Sequence, residues 1–208
     1  MSFDSRRGSA LSAWLVVLVA TLGLAAAAGA DEASQRLDRK VLQMCEGTYA
    51  ICDAALCTPL AAQKGPAGSK SVQPTTAVCT CEVKKGRNLG PGPCDNRIPS
   101  GPNGEYIMST YSYARKDPYL TCPKGNARTV CFGYPCIIDQ KDPSRAHCTC
   151  PITYDSVEFK TQGGGCNVAN CSKDLWQGGT PDEYKIINEM FTKATGEQSP
   201  PDCPAVDR

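Results

Sequence analysis

Fourteen cysteines constrain this chain more than any other feature, and all but two of them fall into two series with the same internal order. The first series is Cys45, Cys52, Cys57, Cys79, Cys81 and Cys94; the second is Cys122, Cys131, Cys136, Cys148, Cys150 and Cys166. Each has a C-x4-C step, then a Cys-Thr-Cys triplet, then a solitary cysteine, an order that points to internal duplication. Cys171 and Cys203 stand outside both series. In an extended strand residues i and i+2 face one side, so each triplet presents two sulfurs to a single layer. Such neighbours rarely meet disulfide geometry with each other, so each is expected to bond a different partner. The pairing itself stays open, because fourteen cysteines allow on the order of 10^5 arrangements. For Cys171 and Cys203 a mutual bridge around the last helix is the expectation by elimination.

The N-terminus decides how these thiols are read. Arg6 and Arg7 precede an uncharged apolar run over residues 11–24, and Ala28-Gly29-Ala30 is an A-x-A cleavage site ahead of Asp31. This is the pattern of an export signal. The alternative is an uncleaved anchor, since apolar and small residues continue over 9–30 and roughly 20 of them can cross a bilayer. Either way the cysteines lie beyond the signal in an oxidising compartment, where an even number of thiols pairs into bridges. The expected location is secreted or periplasmic.

The chain carries 22 basic and 21 acidic residues; without Asp4, Arg6 and Arg7 the two signs balance. A neutral chain with one histidine has no electrostatic footprint for nucleic acid or anionic lipid. Membrane contact is expected only if the signal stays uncleaved. Gly and Pro are abundant and apolar runs short, so bridges worth about 2–5 kcal/mol each are expected to replace part of a normal core.

The expected fold is small, disulfide-rich and β-rich: two duplicated hairpin-centred copies with an N-terminal and a C-terminal α-helix. The divisions are a signal peptide at 1–30, a first copy with its helix at 31–104, a connecting segment at 105–121, a second copy at 122–170, and a helix and tail at 171–208. Leu37, Val41 and Met44 share one helical face, predicting a helix over 31–44. Alanine content would also allow a helix over 49–57, but the counterpart 129–136 holds Gly133 and Pro135, so an extended or irregular path is expected for both. Residues 136–139 and 146–150 flank Asp142-Pro143-Ser144, a hairpin signal. The first copy repeats it between 57–60 and 77–81 with a longer loop over 61–76, an insertion of small entropic cost. Residues 86–104, rich in Gly, Pro and Asn, read as irregular loop. Residues 105–113 read as a strand or extended bridge, with Tyr106, Tyr111, Tyr113 and Tyr119 supplying apolar area between the copies. Thr180-Pro181-Asp182-Glu183 starts a helix and Gly196 stops it. Its apolar face, Tyr184, Ile187, Met190, Phe191 and Ala194, is expected to pack on the second copy.

Several segments carry a resemblance: Tyr49-Ala-x-Cys-x-x-Ala-x-Cys-Thr, the two Cys-Thr-Cys triplets, Val130-Cys-Phe-x-x-x-Cys and Gly163-Gly-Gly-Cys-Asn-x-Ala-x-Cys-Ser. Together they resemble exported cysteine-rich bacterial proteins of unassigned function. That resemblance spans most of residues 45–172 and implies an extracytoplasmic, fully bridged fold, with no activity or catalytic residue attached. Residues 82–86 and the C-terminal helix depart from it.

Other chemistries have weaker signatures. Two thiolates on one side suit a soft ion such as Cu(I), with Met44, Met108 and His147 as further ligands, but ligation requires reduced cysteines. The residue equivalent to His147 in the first copy is Val78, which argues against a shared site. No C-x-x-C, Gly-x-Ser-x-Gly or His-Glu-x-x-His pattern is present. Asp139, Asp142, Asp155 and Glu158 form no recognisable carboxylate pair and read as solvated charge. The expectation is no catalytic residue, no bound metal and no cofactor. The role is structural or interactive, toward a protein or envelope partner, with soft-metal binding through the triplets as the alternative. The loops 61–76 and 86–104 are the candidate contact regions, and Lys64, Lys70, Lys84, Lys85 and Arg87 make the first copy locally basic, against a plain solubilising role.

Overall fold

A computed structural model describes residues 42–61, 73–94, 97–101, 104–154 and 157–204. The signal segment and residues 31–41 of the expected N-terminal helix lie outside them. So do Lys64, Lys70 and Asp155.

Two hairpins form the centre. β2 (Leu56–Pro59) turns back into β3 (Thr76–Pro91), and β8 (Pro135–Ile138) into β9 (Arg145–Thr153). Their registers match, with Cys57 opposite Cys79 and Cys136 opposite Cys148. β3 and β9 then pair antiparallel, Cys79 opposite Cys148, so four cysteines stand in one row across β2, β3, β9 and β8. Along β3 the side chains of Ala77, Cys79 and Cys81 are buried, and along β9 those of Ala146, Cys148, Cys150 and Ile152. Thr80, His147 and Thr149 between them point outward, as period-two alternation requires.

The remaining strands close and extend this unit. β11 (Leu175–Gln177) pairs with β2 and, in parallel, with β7 (Arg128–Thr129), which returns to β9. Strands β3, β2, β11, β7 and β9 therefore form a closed ring, which leaves its members no bare edge. β1 (Leu42–Ile51) runs along the second half of β3, while β5 (Gly104–Met108) and β4 (Arg97–Gly101) extend the sheet beyond β8. A separate pair joins β6 (Leu120–Cys122) to β10 (Phe159–Thr161). Among the described residues the helices are α1 (Asn170–Lys173), a single turn, and α2 (Pro181–Thr195).

Three expectations need correction. Residues 42–44, the end of the predicted N-terminal helix, open strand β1 instead. Leu42, Cys45 and Tyr49 are buried on an extended backbone whose burial does not alternate strictly along the strand, and Gly47 and Gly86 face each other at positive φ in its middle. The segment 86–104 is not one loop: Gly86 to Pro91 continues β3, and 97–101 is β4. Pro99 is tolerated there because β4 is an edge strand. Lys84, Lys85 and Arg87 accordingly sit on a strand. Finally, α2 does not rest mainly on the second copy. Its buried residues Tyr184, Ile187 and Phe191 pack on Tyr111, Tyr113 and Tyr119 of the connecting segment and on Leu42 and Leu89 of β1 and β3, with Phe132 at the margin.

The start and stop of α2 follow the sequence. The Thr180 hydroxyl accepts from the Glu183 N–H and the Glu183 carboxylate from the Thr180 N–H, a reciprocal cap. Gly196 ends the helix at φ 75°, a conformation that costs glycine little. Residues 52–55 between β1 and β2 form a turn, in keeping with the extended or irregular path expected over 49–57.

Candidate functional site

All fourteen cysteines are bridged. Cys52–Cys81, Cys57–Cys79, Cys131–Cys150 and Cys136–Cys148 fill the middle of the ring, and each triplet cysteine bonds a different partner as the strand geometry demands. In both series the second cysteine bonds the fifth and the third bonds the fourth. The eight sulfurs lie among Ala50, Ala55, Ala77, Ala146, Ile107 and Ile152, so the core is built from sulfur and small side chains. Separate bridges touch: the Cys148 sulfur lies 3.3 Å from that of Cys81 and 3.6 Å from that of Cys52. Disulfide sulfur carries no hydrogen, so these are dispersion contacts between polarisable atoms. Buried hydroxyls do donate to them, Thr129 to Cys57 at 3.0 Å and Ser109 to Cys52 at 3.2 Å.

The outer bridges differ. Cys45–Cys94 ties β1 to the turn after β3. Cys171 and Cys203 are not partners: Cys171 bonds Cys122 and Cys203 bonds Cys166. Elimination failed because α1 turns Cys171 inward against Leu120, Cys122 and Phe159, while the tail runs beside Tyr119, whose N–H and carbonyl bond Pro201 and Cys203. Close packing fixes this corner, for a Cβ on Gly163 would lie 2.2 Å from the Trp176 ring.

The residues named for the soft-metal alternative do not gather at one site around the triplets. Sulfurs converge as Cys52, Cys81, Cys148 and as Cys57, Cys79, Cys131, all of them oxidised. His147 faces away from Cys148, and Met44 packs in the separate cluster beneath α2. His147 Nε2 lies 3.2 Å from Asp139 Oδ2 and its Nδ1 3.5 Å from Thr80 Oγ1. The order hydroxyl, imidazole, carboxylate echoes a triad, but all three lie on the outer face of the sheet, with His147 43% and Asp139 32% exposed. Thr80 and His147 are directly opposed strand residues, which accounts for their contact. The Asp139 carboxyl is held below the usual carboxylate range by the Lys141 N–H and by His147.

A different constellation was not legible in the sequence. Beneath α2, where the sulfur core meets the tyrosines, lies a cavity of about 30 Å³, enough for a water-sized guest. Asp53 from the turn after β1, Thr110 from the connecting segment, Gln177 from β11 and Tyr184 from α2 line it. Each is no more than 6% exposed, and Asp53 Oδ2, Thr110 Oγ1, Gln177 Oε1 and the Tyr184 hydroxyl have no protein hydrogen-bond partner. Such a group costs about 1–3 kcal/mol if it stays unpaired.

Burial pushes the Asp53 carboxyl up to about 7, against a smaller opposing pull from the Arg115 guanidinium. The Tyr184 phenol is raised well above its ordinary value by burial and then by the Asp53 charge. Around them the Tyr111 hydroxyl donates to Asn188 Oδ1 at 2.5 Å and meets the Tyr119 hydroxyl, and the Tyr49 hydroxyl bonds Ser112 at 2.7 Å. The only sequence signal for this site is a carboxylate flanked by cysteine and alanine in Cys52-Asp53-Ala54-Ala55. No protein-family model matches the chain, and no curated protein or solved structure matches it either.

Proposed function

We propose that this chain is an exported, disulfide-stapled structural or interaction protein of the periplasm or cell exterior, without catalytic activity. The observation that carries the reading is the complete pairing of fourteen cysteines, eight of them at the centre of the core. Such a core depends on an oxidising compartment, because cytosolic reductants open bridges. Among the described residues no helix is long and apolar enough to cross a membrane. The cleavable signal at 1–30, the origin of the two series by duplication and kinship with exported cysteine-rich bacterial proteins belong to the same proposal. Rigid bridged loops suit a module that binds a protein or envelope partner, since little ordering entropy is lost on contact.

Soft-metal binding through the Cys-Thr-Cys pairs is the second reading, and it draws on the two clusters of converging sulfurs. It requires thiolates where bridges now stand. Alkylation of the protein under denaturing, non-reducing conditions, followed by mass measurement, separates the two. Zero labelled thiols on a chain beginning at Asp31 is the expected result; four or more labelled thiols would sink the stapled reading.

A further inference from the structure

We propose that the cavity beneath α2 is a binding site for a single compact monovalent cation, an alkali-metal ion or ammonium, held by Asp53, Thr110, Gln177 and Tyr184. Four residues that line this one small space, from elements far apart in sequence, each hold a buried oxygen with no protein partner. Acceptors dominate: a carboxylate oxygen, an amide carbonyl and two hydroxyls that can each offer a lone pair. An oxygen cage of this kind suits a hard cation, or the N–H groups of ammonium.

The surrounding charges set the valence. Glu183, at the cavity wall, faces Arg128 at 3.6 Å and takes the Thr180 N–H. Arg115 is engaged by Glu82 and Asp117, so it acts on Asp53 only through space. Asp53 is then the one carboxylate of the cavity without an ion-pair partner, and one negative charge balances one positive charge. A divalent ion would call for further carboxylates. The cavity volume gives the size, since potassium and ammonium are about as large as a water molecule and sodium is smaller. Tyr49, Tyr111, Tyr119 and Tyr184 all feel the Asp53 charge, and their phenols stay neutral because burial raises them. In acid a proton on Asp53 occupies the role of the cation, so ion and proton compete. Uptake strengthens as pH rises past neutrality.

The test is thermal unfolding of the full mature protein at pH 8 in chloride salts of sodium, potassium and ammonium, with tetramethylammonium at equal ionic strength as the ion too large to enter. At least one small cation is expected to raise the midpoint saturably above the tetramethylammonium value, and the gain is expected to shrink at least tenfold at pH 5. Potassium and sodium responding without ammonium identifies a metal ion; ammonium alone identifies an N–H donor. Asp53→Asn is expected to abolish the gain, and Tyr184→Phe, which keeps the ring and the packing, to weaken apparent affinity about tenfold. Equal midpoints in all four salts would overturn the proposal. So would an undiminished potassium or ammonium response in Tyr184→Phe together with one at pH 5, whether or not Asp53→Asn folds.

Discussion

The two buried regions of this molecule are made in opposite ways. The ring interior is eight bridged cysteines among alanines, so its contacts are covalent and its side chains short. The layer beneath α2 contains no bridge: Tyr111 packs edge to face on Tyr113, Tyr184 and Phe191, and the pairs Tyr113–Phe191 and Tyr119–Tyr184 are tilted, with centroid separations from 4.5 to 6.2 Å. Phenol hydroxyls are tied to Asn188, Thr192 and Ser112. One region resists unfolding chiefly by restricting the unfolded chain, the other by removing aromatic area from water. The cavity lies at their boundary, with Cys52 and Asp53 on one side and Tyr184 and Ile187 on the other. A rigid floor under a non-covalent roof is an arrangement in which a small guest can enter by local opening.

The largest expected effect breaks the covalent half. Replacing Cys57 and Cys79 together by alanine removes a bridge with a sequence separation of 22 and leaves two small cavities, and is expected to cost up to about 5 kcal/mol in urea unfolding. A loss below about 1 kcal/mol would mean that the neighbouring Cys136–Cys148 bridge alone holds the row. In the native protein, mild reductant followed by alkylation is expected to label Cys94 and Cys166, which are exposed, together with their partners before any cysteine of the ring.

Next in size is the pH dependence set at the boundary. Unfolded Asp53 ionises near 3.9, whereas in the fold it holds its proton up to about 7. The folded state therefore binds the extra proton between these values, so the contribution is fully present below about pH 4 and is lost as pH rises through 7. Its size is on the order of 4 kcal/mol. Urea midpoints in tetramethylammonium buffers at pH 4.5 and 8 are expected to show the fall, and Asp53→Asn to flatten it. A wild-type curve level over that range would mean that Asp53 is ionised in the fold throughout.

Smaller effects probe the roof. Thr180→Ala removes one side of the helix cap and is expected to cost about 1 kcal/mol, read as faster amide exchange along α2 with little change in the ring strands. Equal acceleration in both regions would show them to open as one unit. Lys116→Ala, which loses an exposed ion pair with Glu197, is expected to change stability by less than about 0.5 kcal/mol.

The features read correctly from sequence are those set by local geometry. Cys-Thr-Cys implied one inward face with two outgoing bonds, Asp142-Pro143-Ser144 marked the turn between β8 and β9, and Thr180 with Glu183 announced a helix start. What escaped depends on contacts distant in the chain. Cys171 chooses Cys122 because a single helical turn points it toward β6, and nothing near Cys171 encodes that choice. The helical spacing of Leu37, Val41 and Met44 misled at its end, because residues 42–44 take their conformation from pairing with Leu89 to Pro91 of another strand. Asp53 and Tyr184 gave no sign of a shared cavity, being brought together only once α2 folds over the connecting segment.

The outer bridges of the C-terminal half interlock in sequence: Cys166 falls within the span closed by Cys122 and Cys171, and Cys171 within the span closed by Cys166 and Cys203. A protease that cuts once after α2, in the exposed stretch around Gly196 and Gln198, frees neither product, because the Cys166–Cys203 bridge spans the cut. The nicked chain keeps its mass without reductant and comes apart only when the sulfurs are opened. The cut thus costs a peptide bond and leaves the C-terminal tail in place.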